Sequence, residues 1–206
     1  MSNRKAEFQI TFPTLGYLQA DWIAWHCPIP DGFHKGQPFV LSDWQLWCTA
    51  NHGRVRPETP WLADNPIKNQ AFHNRRSLIV GPQKYGKSPW AAAMTALMAV
   101  GPDLFAGWAE GGEVYDCAAY GCRCGFLYEY EAGEPMGMPW PTPLIQLMAT
   151  SEDQVTNTWK PLTAMIRNGP LVELVRLGAA AVLTKPLSLA HVEKVMASVV
   201  ARAMPR

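Results

Sequence analysis

Four residues between positions 81 and 88 have the types and the spacing of a phosphate-binding loop. Gly81, Gly86, Lys87 and Ser88 fit the pattern G-x-x-x-x-G-K-[ST] at every fixed position. Glycines let the backbone turn so tightly that successive N–H groups point toward phosphate oxygens. The lysine supplies a positive charge for the β- and γ-phosphates, and the serine hydroxyl can bind Mg²⁺. The pattern predicts a site for ATP and Mg²⁺ made by Gly81, Pro82, Gln83, Lys84, Tyr85, Gly86, Lys87 and Ser88.

The segments on either side of this loop are expected to position it. Residues 77–80 form a short apolar run that predicts a strand leading into the loop. Residues 89–100 are rich in strong helix formers and are followed by Gly101 and Pro102, which end a helix. This order of strand, loop and helix directs the positive N-terminal end of the helix at the bound phosphates.

Patterns elsewhere in the chain predict a mixed fold. Helices are expected over residues 15–27, over residues 43–51 after an N-cap at Ser42, and from Ser151 to about residue 166. Residues 101–143 are dense in glycine, proline and aromatic residues, which predicts loops with short strands. Residues 144–149 are a continuous apolar run, typical of a strand buried on both faces. Together these elements predict an α/β fold with a parallel sheet flanked by helices.

Bulk properties narrow the class of protein. The chain has 206 residues and a formal net charge of +1, so its overall charge does not attract nucleic acid. Its longest apolar runs fall short of the roughly 20 residues that cross a bilayer, and its N-terminus does not resemble a signal peptide. Five cysteines, an odd number, suit a reducing compartment. We therefore expect a cytoplasmic protein without a membrane partner.

The loop and several motifs around it resemble a known protein family. The chain is similar to the ATPase part of the large terminase subunit of tailed bacteriophages, a motor that packages DNA. The similarity covers residues 1–174, and its motifs occur in the family's order. They are LSDWQ at 41–45, the loop at 81–88, GEPMGMPWP at 133–141, PLIQ at 143–146 and ATSEDQ at 149–154.

The resemblance implies a P-loop NTPase-like sheet and a function. It implies that Lys87 acts in ATP hydrolysis, that Ser88 binds Mg²⁺ and that Gln45 contacts the adenine of ATP. A side-chain amide can donate and accept at once, which suits an adenine edge, although an ordinary helix-surface glutamine is the alternative for Gln45. The implied partners are double-stranded DNA, the phage portal protein and the small terminase subunit, and a homo-oligomer is compatible with the resemblance. The resemblance also implies that the cytoplasm is that of a bacterial host.

Two parts of the family's pattern have no counterpart in this sequence. The chain contains no Asp-Glu pair of the kind that ends a Walker B strand, whose acids hold Mg²⁺ and orient the attacking water. The carboxylate-rich nuclease domain is not recognised either. We therefore expect residues 1–174 to be the first portion of a longer motor. A nucleotide-binding module that does not hydrolyse ATP is the alternative.

The tail, residues 175–206, resembles a different family. It is similar to the last strand and helix of a response-regulator receiver domain, with Lys185-Pro186 at the end of the strand and a helix over residues 188–203. This implies a strand–helix appendage joined to the ATPase part, and a chimeric regulatory protein is an alternative function. Lys185 is expected to be a strand-end lysine rather than a switch residue.

Three cysteines lie close together in the loop-rich region. Cys117, Cys122 and Cys124 include a Cys-x-Cys pair that could bind zinc. A structural zinc site needs four ligands, and no fourth cysteine or histidine is near them in the sequence. We therefore expect free, partly buried thiols.

Four arginines are expected at the surface, with a contact to DNA or to another subunit as the alternative. They are Arg54, Arg56, Arg75 and Arg76.

Three tryptophans are expected to pack in the core or beside the nucleotide. They are Trp44, Trp47 and Trp90.

Overall fold

The computed structural model describes residues 8–66 and 70–172. Four helices lie in this part of the chain: α1 (Gly16–His26), α2 (Asp43–His52), α3 (Lys87–Val100) and α4 (Glu152–Asn168). Four short strands follow α3: β1 (Leu104–Trp108), β2 (Val114–Asp116), β3 (Leu127–Glu129) and β4 (Pro135–Met138). The predicted tail at residues 175–206 and the predicted domain boundary at residue 174 lie outside the described residues.

The four helices confirm the predicted ones. Helix α2 begins after Ser42, which makes a capping box with Gln45, and it ends at Gly53. Helix α3 ends at Gly101, whose N–H donates to the carbonyl of Leu97. Helix α4 begins after Ser151, whose hydroxyl accepts a hydrogen bond from the N–H of Gln154.

The strands form two small antiparallel sheets. Strand β1 pairs with β4 and places Leu104 opposite Met138, and the register shifts before Trp108. Strand β2 pairs with β3 and places Val114 opposite Glu129. All four strands fall within residues 101–143, where short strands were predicted. The fold is therefore mixed α/β, but the described residues contain no parallel strand pair.

Two predicted strands are not formed in the structure. Residues 77–80 and 144–149 have no strand pairing, although both segments are described. The side chains of Leu78 and Val80 are each 87% exposed, and that of Met148 is 86% exposed. An apolar run becomes a buried strand only when neighbouring strands pair with it and a second layer covers it. The described residues supply neither for these two segments.

The helices pack together around a core of buried apolar side chains. Trp22 and Ile23 of α1, Leu97 of α3 and Met165 of α4 all belong to the main apolar cluster. Gly16 allows α1 to approach α2 closely, because a Cβ at this position would lie 2.4 Å from the Cα of Ala50. Within the described residues, no helix is both long enough and apolar enough to cross a membrane.

Candidate nucleotide site

The phosphate loop leads directly into helix α3. Gly86 is the N-cap of the helix and has a left-handed backbone, with φ of 80°. Lys84 also has a positive φ, of 61°, which is uncommon for a residue with a side chain. Two left-handed residues so close together turn the chain sharply. The loop is exposed from Gly81 to Tyr85 and becomes partly buried where the helix begins.

Lys87 is the first residue of α3, and its side chain bends back over the loop. Its Nζ donates a hydrogen bond to the carbonyl oxygen of Gly81 at 2.7 Å and another to the carbonyl oxygen of Pro82. The aliphatic stem passes close to Gly81, since a Cβ on that glycine would lie 3.6 Å from the Cδ of Lys87. The loop therefore curves around the lysine and holds one positive charge among its backbone groups.

The start of α3 provides further groups suited to an anion. The N–H groups of Lys87 and Ser88 lie in the first turn, where a helix offers no internal acceptor, and Pro89 has no N–H to satisfy. The positive end of the helix dipole lies at the same place. Ser88 follows Lys87 directly and is partly buried, and its role as a Mg²⁺ ligand stays a prediction.

Gln45 contacts this loop from helix α2. It is 7% exposed, so the alternative of an ordinary surface glutamine is wrong. Its Oε1 accepts hydrogen bonds from the N–H of Ser42 at 2.9 Å and from the Ser42 hydroxyl at 3.0 Å. Its Nε2 donates to the carbonyl oxygen of Gly86 at 3.4 Å. One N–H of the amide is left for a nucleotide, and the adenine contact of Gln45 stays a prediction.

Aromatic side chains connect the loop to the core. The ring of Tyr85 stacks on Trp44, with centroids 5.1 Å apart and planes inclined by 23°. The ring centroids of Trp44 and of Trp90 in α3 lie 5.7 Å apart. The indole N–H of Trp90 donates to the hydroxyl of Thr49 in α2 at 3.1 Å. Trp90 belongs to the main apolar cluster and Trp44 packs against it, which confirms the predicted packing in the core.

The segment before the loop is attached to the end of α2. The Nδ1 of His52 lies 2.8 Å from the hydroxyl of Ser77, and the Asn74 amide donates to the carbonyl oxygen of Asn51 at 2.8 Å. Helix α2 thus contacts the chain on both sides of residues 78–85. These contacts, rather than a strand in a parallel sheet, position the loop among the described residues.

The three neighbouring cysteines have a histidine beside them that their sequence positions do not reveal. His26, at the end of α1, places its Nε2 3.1 Å from the Sγ of Cys124. Burial lowers the pKa of His26 to about 4 and raises that of Cys122 to about 11. The three thiols are buried or partly buried, as expected. The sequence offered no fourth cysteine or histidine nearby, but folding brings His26 beside them across 98 residues of sequence.

A groove of about 700 Å³ lies away from the phosphate loop. It is lined by α1 and by the turn between β3 and β4, including Tyr17, Asp21, Tyr128 and Glu134. No residue of the phosphate loop lines it. Its lining includes acidic groups, which suit a triphosphate poorly, so we do not place the nucleotide there.

Comparisons with protein-family models, with curated proteins and with solved structures find no match to this chain.

Proposed function

We propose that this chain binds ATP·Mg²⁺ through residues 81–88 as the nucleotide-binding part of a DNA-packaging motor of the terminase type. The observation that supports it best is the position of Lys87. This lysine begins α3 immediately after the left-handed Gly86, and its ammonium group is held against the carbonyl oxygen of Gly81. A triphosphate that enters the loop exchanges those carbonyl contacts for charged phosphate oxygens, which are stronger acceptors.

Each part of the loop has a separate role in this proposal. The N–H groups of the loop and of the first turn of α3 bind phosphate oxygens, and Lys87 neutralises charge on the β- and γ-phosphates. Ser88 would hold a Mg²⁺ ion, which would supply further positive charge to the phosphates. Gln45 supports the loop through the Gly86 carbonyl and offers its remaining N–H to the base. Positioning and charge neutralisation supply most of the catalysis in this reaction class.

Exposed arginines support the proposal of a DNA partner, because their positive charges attract phosphates. Arg56 and Arg75 both contact Gln70, the first through its backbone carbonyl at 3.4 Å and the second through its side-chain oxygen at 3.0 Å. Arg56, Arg75 and Arg76 are all exposed, whereas the guanidinium of Arg54 lies 4.5 Å from the ring centroid of Phe12. Two or three cations in one region suit the phosphates of double-stranded DNA. The portal protein and the small terminase subunit belong to the same proposal through the sequence resemblance.

A second function has its own support in the sequence. Because the chain contains no Asp-Glu pair, no residue is assigned to hold Mg²⁺ from a Walker B strand or to orient water. A module that binds ATP without hydrolysing it would have this composition. Both functions use the same nucleotide site, and they differ in whether the bound ATP is hydrolysed.

A steady-state ATPase assay with and without double-stranded DNA separates the two functions. A motor component hydrolyses ATP and is stimulated by DNA, with a stimulation that weakens as salt is raised. A binding module shows saturable ATP binding and no turnover in either condition. Absence of ATP binding in the folded protein would contradict both.

A further inference from the structure

Four side chains that can bind metal converge between helix α1 and the connection from β2 to β3. They are His26 at the end of α1 and Cys117, Cys122 and Cys124 in residues 117–126. Their ligand atoms all lie within 4.8 Å of one another. His26 and the three thiols play no part in the phosphate loop, so this cluster requires an explanation of its own.

The hydrogen bonds of His26 fix which nitrogen faces the sulfurs. Its Nδ1 lies 2.8 Å from the carbonyl oxygen of Trp22, and a carbonyl can only accept, so Nδ1 carries the proton. The neutral ring therefore directs the lone pair of Nε2 at the thiols. A hydrogen bond from Nδ1–H to a backbone carbonyl is the usual arrangement for a histidine that binds metal through Nε2.

The distances match a tetrahedral zinc site. The Nε2 of His26 is 3.1 Å from the Sγ of Cys124, 3.5 Å from that of Cys117 and 3.9 Å from that of Cys122. Zinc bonds of about 2.3 Å to sulfur and about 2.0–2.1 Å to nitrogen at tetrahedral angles place the two atoms about 3.6 Å apart. The three measured distances fall on both sides of this value.

The backbone around the cysteines supports the same geometry. Gly121 and Gly125 have φ of 84° and 77°, and these left-handed turns lie beside Cys122 and Cys124. The N–H of Phe126 donates to the Sγ of Cys124 at 3.4 Å, a bond that stabilises a thiolate. All three thiols are free, and a disulfide could join only two of them. Three soft sulfur ligands with one imidazole favour zinc over hard cations such as Mg²⁺.

We propose that His26, Cys117, Cys122 and Cys124 bind one Zn²⁺ as a structural site. Binding replaces the three thiol protons, which leave to solvent, and forms three Zn–S bonds and one Zn–N bond. Four protein ligands fill the tetrahedral coordination, so no position is open for water or substrate. The ion would join α1 to the connection between β2 and β3 and thereby stabilise this part of the fold.

The test is metal binding by the full chain, purified under reducing conditions with zinc and then dialysed. Elemental analysis should find one zinc per chain, and Co²⁺ added to the metal-free protein should give the intense visible bands of a tetrahedral site with thiolate ligands. Cys124→Ser removes a direct ligand of the metal. It should weaken Zn²⁺ binding by at least the about 10- to 100-fold loss that is typical when a group hydrogen-bonded to a ligand is changed. Cys48→Ser changes a half-buried thiol of α2 outside the cluster and should behave as the original protein.

A stability measurement covers the case in which Cys124→Ser does not fold. A strong chelator should lower the thermal midpoint of the original protein and of Cys48→Ser, and added zinc should restore it. The proposal would be overturned by a folded, reduced protein that retains no zinc and gives only the weak spectrum of octahedral Co²⁺. It would equally be overturned if Cys124→Ser bound zinc as tightly as Cys48→Ser.

Discussion

The side-chain amide of Gln45 lies 3.4 Å from the carbonyl oxygen of Gly86, at the point where the phosphate loop becomes helix α3. The same amide closes the capping box of α2 through Ser42. One buried glutamine therefore links the start of one helix to the start of another. Changes at Gln45 are expected to affect both helix stability and the loop, and these effects can be separated.

Two substitutions at Gln45 distinguish its two contacts. Gln45→Ala removes the acceptor for the Ser42 N–H and should lower the free energy of unfolding by about 1 kcal/mol, the usual loss for a helix cap. Gln45→Glu keeps a side-chain oxygen for Ser42 but replaces the donor to Gly86 with a negative charge. It should bind ATP more weakly than the original protein. Urea denaturation and ATP titration measure the two effects, and an unchanged free energy of unfolding in Gln45→Ala would contradict the capping role.

The buried hydrogen bond between Trp90 and Thr49 predicts a stability change. Thr49 is fully buried, and it accepts the indole N–H of Trp90. Thr49→Val keeps the shape of the side chain but leaves that buried donor unpaired, so the free energy of unfolding should fall by about 1–3 kcal/mol. Denaturation in urea checks the value.

Thr95→Val is the matched control for this change. Thr95 donates to the carbonyl oxygen of Ala91 within α3, and this carbonyl keeps its helical partner when the hydroxyl is removed. The substitution should change the free energy of unfolding by at most about 0.5 kcal/mol. Equal losses in the free energy of unfolding for Thr49→Val and Thr95→Val would contradict a stabilising role of the hydrogen bond between Trp90 and Thr49.

Asp103 predicts a pH-dependent contribution to stability. Burial raises the pKa of its carboxyl from 3.8 to about 7, and the hydrogen bond from the Gln19 amide at 2.9 Å offsets only part of this. Between these two pKa values the folded protein holds a proton that the unfolded chain has lost. The carboxyl's contribution to the free energy of unfolding is therefore greatest below pH 4 and falls as pH rises to about 7.

Asp103→Asn removes this titration while keeping an oxygen for Gln19. The stability of the variant relative to the original protein should rise between pH 4 and pH 7, by at most about 1.4 kcal/mol for each pH unit. The difference between the two proteins is the quantity to measure. Groups distant from residue 103 titrate alike in both proteins and cancel in the difference. A difference that does not vary with pH would contradict the raised pKa.

The helices and their ends could be predicted from the sequence because their signals are local. The N-caps Ser42 and Ser151 and the terminal Gly53 and Gly101 act on residues within one turn of the helix. The pattern at residues 81–88 is equally local, since it lies in eight consecutive positions, and its role as a nucleotide site stays a prediction.

The missing strands and the cysteine cluster depend on distant parts of the chain. The apolar run at 77–80 predicted a strand, but pairing requires partners that a local pattern cannot specify, and Leu78 is exposed. His26 lies 91 residues from Cys117, so no spacing rule would connect them. The tight turns at Gly121 and Gly125 were the local signal that the cysteines could converge.

ATP titration of Lys87→Ala in the presence of Mg²⁺ tests the nucleotide site most directly. Lys35→Ala is the matched control, because it removes the same charge from an exposed residue in the turn between α1 and α2. Loss of the Lys87 ammonium should weaken ATP binding by about 10- to 100-fold, as expected for hydrogen bonds to a charged partner of about 1.5–3 kcal/mol. Lys35→Ala should bind ATP as the original protein does. A folded Lys87→Ala protein with unchanged ATP affinity would contradict the assignment of residues 81–88 as the nucleotide site.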